Sequence, residues 1–142
     1  MKPPPKAGSF MKQREQARLL LKKAAQDEAL LDLILDSDHV SDEIVGFHCQ
    51  QAAEKILKAS LSDFGVRFRK THEIGLLADL LAQAGHPLPA EFADLDILTP
   101  FGAVYRYEDY DPELSLDRPR ARAILRSLRC WVEARLAERV PS

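Results

Sequence analysis

Apolar residues along this chain recur at intervals of three and four rather than in alternation, and that spacing predicts helices throughout. A first helix is expected from about Met11 to Leu35, with Leu19, Leu20, Ala24, Leu30, Leu31 and Ile34 on a broad apolar face; the run Asp36-Ser37-Asp38-His39 breaks it. A second should span about Ser41 to Phe64. Ser41 is a good N-cap, Asp42 and Glu43 suit the positive end of the helix dipole, and Gly65 is a natural stop. Val66–Lys70 then forms a basic connection into a third helix, from near the plausible cap Thr71 to near Gly85, with Ile74, Leu77, Leu80 and Leu81 inward.

His86-Pro87-Leu88-Pro89 reads as a loop. A fourth helix is expected from Ala90 to about Tyr107, with Phe92, Leu95, Leu98 and Phe101 inward and Thr99-Pro100 kinking or splitting it. The acidic run Glu108-Asp109-Tyr110-Asp111-Pro112 ends it. The last helix should begin around Asp117, carry Pro119 in its first turn, and bury Ala121, Ile124, Leu125, Leu128, Trp131, Val132 and Leu136. The pattern predicts an all-α fold: an antiparallel up-and-down bundle of four to five helices over residues 11–138, preceded by a flexible arm over residues 1–10.

Composition supports one ordinary globular domain. The 142 residues are 46% hydrophobic and 30% charged, enough to build a core without disulfide or metal staples. Net charge is −2, so any attraction to a polyanion must come from a local patch. Cys49 and Cys130 are too few for a disulfide framework and are expected as reduced thiols. His39, His48, His72 and His86 are scattered, so neither a metal site nor a cofactor is expected. The N-terminus lacks the apolar stretch of a signal peptide, and no apolar run approaches a membrane span, so the expected location is the cytoplasm.

The second helix carries the candidate chemistry. On a helical wheel Val45, Cys49, Ala52, Ile56 and Ala59 share one apolar arc. His48, Gln51, Lys55, Lys58 and Ser62 fall on a separate polar stripe. The small Ala52, Ala53 and Ala59 would let a neighbouring helix approach closely. The stripe reads either as a solvated face or as a surface for a nucleotide phosphate, an RNA backbone or a protein partner; Gln and His add directional hydrogen bonds.

The run Phe47-His48-Cys49-Gln50-Gln51-Ala52-Ala53-Glu54-Lys55-Ile56-Leu57-Lys58-Ala59 resembles the helix-two signature of the HEPN family (higher eukaryotes and prokaryotes nucleotide-binding): a phenylalanine, a Gln-Ala-x-Glu-Lys core and a second lysine. Arg69–Leu77 resembles that family's Thr-His connection into helix three, and Leu98–Asp109 its Leu-Thr to Arg-Tyr segment. The three pieces stand in the family's order, and the resemblance covers about Met11 to Leu136. It implies a helical bundle that usually forms a homodimer. Many members pair with a minimal nucleotidyltransferase as a two-component, toxin-antitoxin-like system, and some are metal-independent ribonucleases. The ribonuclease signature is an arginine followed after four to six residues by a histidine.

Here the equivalent arginine is Arg106, and Tyr107, Glu108, Asp109, Tyr110 and Asp111 follow it with no histidine. Moving a proton near neutral pH calls for such a group, and the carboxylates would repel RNA. Arg67 and His72 match the spacing by chance, in the wrong part of the chain for that signature. Arg106 could instead pair with Glu54 or Asp109, and Tyr105 or Tyr107 could pack in the core or stack on a base. On the last helix Arg118, Arg122, Arg126 and Arg129 share a stripe that Glu133 continues, which reads as solvated charge or as a grip on phosphates.

The resulting expectation is a binding module for a nucleotide, RNA or a nucleotidyltransferase partner, without contact with membrane. Its site residues would be His48, Gln51, Lys55, Lys58, Arg106 and Tyr107. The rival is a ribonuclease toxin pairing Arg106 with His48, His72 or Asp111.

Overall fold

The computed structural model describes residues 7–71, 73–102 and 115–138. They form helices α1 (Ala7–Ile34), α2 (Asp42–Asp63) and α3 (Ile74–Gln83), a 3-10 helix (Ala90–Phe101), and α4 (Arg118–Glu138). The expected all-α bundle is what the chain builds; no strand occurs among the described residues. None of their helices is long and apolar enough to cross a membrane.

Local signals set most ends. Ser41 accepts the Ile44 N–H at 3.3 Å, as an N-cap should. Asp117 accepts the Arg120 N–H at 3.1 Å, and Pro119 sits in the first turn of α4. Gly65 takes φ 70° just past α2, where a side chain would be strained. Two boundaries differ from expectation. α1 starts at Ala7, inside the stretch read as an arm. Thr71 does not cap α3; its hydroxyl accepts the Glu73 N–H at 3.1 Å and shapes the turn before the helix.

The expected fourth α-helix is a 3-10 helix over its described part. Phe92, Leu95, Leu98 and Phe101, all buried, recur every three residues. At three residues per turn they stack on one face, whereas in an α-helix they would wander around the axis. Pro100 also lacks the N–H that an α-helical ladder would use.

Ion pairs give the register. Arg14 meets Asp63 at one end of the α1–α2 pair and Lys55 meets Asp27 further along, so the two helices are antiparallel. The Arg14 guanidinium donates to the Leu136 carbonyl, and Arg122 reaches Glu28, so α4 is also antiparallel to α1. α2 and α4 therefore run parallel, and α3 and the 3-10 helix lie in the crossover between them. α2 is the central element, packed by all the others. Its apolar arc of Val45, Cys49, Ala52, Ile56 and Ala59 is fully buried. The alanines Ala17, Ala24, Ala52, Ala53, Ala59 and Ala121 are buried too, as close helix approach requires. Burial pushes the Cys49 thiol up to about 12, which leaves it an inert core residue.

On α1 the buried face differs from the expected one. Arg14, Ala17, Leu21, Ala24, Glu28 and Leu31 point inward at spacings of three and four. Leu19 and Leu30, expected in the core, lie outside at 52% and 38% exposure, with Leu33 at 82%. The helix is apolar on two sides, and only the small Ala17 and Ala24 let α2 come close.

The arginine stripe of α4 is an internal clamp rather than solvated charge. Arg118 donates to Asp42 and to the carbonyls of Leu35, Ser37 and Val40, closing the open end of α1 and the turn into α2. Arg122 donates to Glu28 at 2.9 Å and to Asp32 at 2.6 Å, and Arg129 donates to Glu28 and Glu133. Arg126 is exposed.

These clamps make stability depend on pH. The Arg122 hydrogen bond holds the Asp32 carboxyl below the usual carboxylate range. At Asp42 burial opposes the charge, but the Arg118 bond and the Leu116 N–H outweigh it and the carboxyl is again lowered. A carboxylate lowered by folding contributes stability that is complete above the free aspartate value, about 3.9, and is lost as pH falls through the folded value. The melting temperature should therefore fall as pH drops below about 4, the free aspartate value, and Arg118→Ala should flatten that fall. An equal acid slope in wild type and variant would remove Arg118 from the account.

Candidate functional site

The polar side of α2 is built from the segment singled out in the sequence. Four of the six expected site residues, His48, Gln51, Lys55 and Lys58, are described, and all four are half-buried. Arg106 and Tyr107 lie outside the described residues, as do Tyr105, His72 and the 108–112 run.

The four residues do not form a free face. Lys55 Nζ donates to Asp27 Oδ2 of α1 at 2.6 Å. Lys58 Nζ donates to Glu54 Oε1 at 2.6 Å, one turn away on the same helix. Gln51 Nε2 donates to Gln50 Oε1 at 3.0 Å, and Gln50 Nε2 donates to Glu54 Oε2 at 3.2 Å. Ser62, placed on the same stripe, is buried. The stripe is thus partly inside the molecule because α2 is wrapped on several sides, and its two lysines are already neutralised.

Sequence reasoning missed Asp27 and Gln50. Asp27 falls next to Glu28 on the inward arc of α1, between Ala24 and Leu31, and a carboxylate there signals a partner on the facing helix. Gln50 is fully buried beside Gly102; a Cβ at Gly102 would lie 3.2 Å from its side chain.

His48 stands apart. Its ring meets Phe47 edge-on at 5.6 Å. Its Nδ1 lies 3.9 Å from Asp27 Oδ1, is buried, and has no hydrogen-bond partner among the described residues. A nearby carboxylate can orient an imidazole. Among the described residues no group of three or more His, Cys, Asp or Glu could hold a metal ion. An open trough of about 350 Å³ between α3 and the 3-10 helix has Ile74, Leu88, Phe92 and Leu95 in its wall and Asp79 and Asp96 beside them, the wrong sign for a phosphate.

The residues that form the α2 network, Gln51, Glu54, Lys55 and Lys58, are those of the helix-two signature, and the family model described as HEPN domain matches residues 17–135. The chain belongs to the HEPN family. Searches of curated proteins and of solved structures find no match. HEPN membership ties the chain, at the level of the family, to nucleotide- or RNA-related function. The match spans α1 to α4, so the helix-two network sits in the middle of the HEPN fold rather than on an added segment.

Proposed function

We propose that this HEPN protein binds rather than cuts: it is a dimeric module for a nucleotide, RNA or a minimal nucleotidyltransferase, and one half of a toxin-antitoxin-like pair. The observation that carries the reading is the closed network on α2. Lys55 is held by Asp27 and Lys58 by Glu54, with Gln50 and Gln51 bonded between, so the wall is pre-set and its charges are balanced. Such a wall can position a ligand by hydrogen bonds at little ordering cost. The sequence after Arg106 has no histidine to complete the ribonuclease signature. Dimerisation is supported by Leu19, Leu30 and Leu33 on the face of α1 that looks away from the core.

The second reading, a ribonuclease, draws on one observation, the buried and unbonded Nδ1 of His48 near Asp27. Incubation with mixed single-stranded RNA in EDTA separates the two. The expected result is retention of intact RNA by a species of two chains in light scattering. Rapid cleavage that disappears in Arg106→Ala or His48→Ala would overturn the binding reading.

A further inference from the structure

The cations of the α2 stripe are neutralised inside the molecule, whereas those of the adjoining loop are not. Residues 66–69 follow the Gly65 turn without regular secondary structure. Val66 and Phe68 are half-buried and pack on the core, while Arg67, Arg69 and Lys70 are exposed. Alternate residues of an extended segment face opposite sides, so anchoring Val66 and Phe68 turns Arg67 and Arg69 outward together. At an extended rise their Cα atoms stand about 6–7 Å apart. Among the described residues none of these three cations has an ion pair.

The loop adjoins the stripe. Lys58 Nζ lies 5.8 Å from the centroid of the Phe68 ring. The start of α1 adjoins it as well, since a Cβ on Gly65 would sit 3.2 Å from the Gln13 side chain, next to the exposed Lys12. Glu73 is the nearest exposed acid along the chain, after Thr71. In a molecule of net charge −2, this is a concentrated positive site.

We propose that Arg67, Arg69 and Lys70 are a docking track for the sugar-phosphate backbone of a single-stranded RNA. Two guanidinium forks on one side of an anchored loop suit successive phosphates, each of which an arginine can grip with paired hydrogen bonds. The cations follow one stretch of chain without regular secondary structure, which presents no helix that could enter a duplex groove. The ligand class rests on the RNA-binding reading above; the residues are different ones.

Fluorescence anisotropy with a labelled oligouridylate across a salt series tests it. The variant R67S/R69S/K70S should bind roughly tenfold or more weakly, and its salt slope should fall by about 2, from about 0.7 per lost phosphate contact on a single strand. All three positions are exposed, so its melting curve should match wild type. The control K22S/K23S, two exposed lysines of α1, should bind like wild type. If the loop variant binds like wild type, the track is wrong and the RNA-binding reading stands. If the control loses as much as the loop variant, the attraction is diffuse and the track is wrong. If wild type fails to bind the oligonucleotide, or the loop variant loses only a co-purifying acidic protein, the track is overturned; failure of wild type also removes RNA from the proposed function.

Discussion

Arg122→Ala should lower the unfolding free energy by about 3 kcal/mol, the lower end of the range for breaking a buried ion pair. Glu28, 2% exposed, accepts from Arg122, itself 7% exposed, and from Arg129. Removing Arg122 leaves a carboxylate inside the α1–α4 contact with one cation instead of two. The loss stays near the lower end because Arg129 remains, and because Asp32, the other partner, is half open to water and can be rehydrated. The pair itself is not the source of net stability, since desolvating both ions offsets most of their attraction. Glu28→Leu combined with Arg122→Met should therefore unfold within about 1 kcal/mol of wild type. Urea titration reads both variants. A single variant as stable as wild type would mean that Glu28 takes up water or a proton without penalty, and the clamp would be incidental.

The second large effect lies where α2 meets the 3-10 helix. Phe101 is 1% exposed, and its ring sits over Gly46: a Cβ there would be 2.2 Å from Cδ1. Phe101→Ala should cost about 3–5 kcal/mol for the emptied volume. Gly46→Ala should cost about 1–3 kcal/mol, because the ring must leave its place in a packed core. The two changes should not add. Once the ring is gone, Gly46→Ala meets nothing and gains up to about 1 kcal/mol of helix propensity, so its sign reverses. A double-mutant cycle by thermal or urea unfolding measures this. An equal cost for Gly46→Ala in both backgrounds would show that the glycine is needed for something other than the ring.

Much of the candidate site was legible and part of it was not. The signature on α2 was visible as residue types at helical spacing; Gln51 and Lys58 bond to Glu54 within it, and Lys55 bonds to Asp27 of α1. Their state was not visible. A wheel drawn for one helix shows Lys55 and Lys58 off the apolar arc, which suggests open surface. Their burial depends on what surrounds them: Asp27 comes from another helix, and Glu54 is itself buried by the packing around α2. Local pairs along a helix can be counted from sequence, but tertiary partners cannot. The same limit applied to Arg118, Arg122 and Arg129, whose partners lie on α1 and the start of α2. A stripe of like charges looks solvated until the opposing carboxylates are in place.

By itself the sequence determined the helical class, the caps at Ser41 and Asp117, the stop at Gly65 and the buried arc of α2. Each of these depends on residues within a turn or two, where backbone hydrogen bonds and spacing decide the free energy. The period of three from Phe92 to Phe101 is equally local, but it was read as an α-helical face, and the structure shows a 3-10 helix there. Only the tertiary structure decided which face of α1 goes inward. Leu19, Leu30 and Leu33 offer more apolar area than Ala17, Ala24 and Glu28, yet they stay outside. Close packing of α1 on α2 needs small side chains, and a carboxylate can be buried at position 28 because Arg122 and Arg129 arrive on α4 to meet it. That balance between desolvation and a partner far along the chain exists only once the helices are assembled.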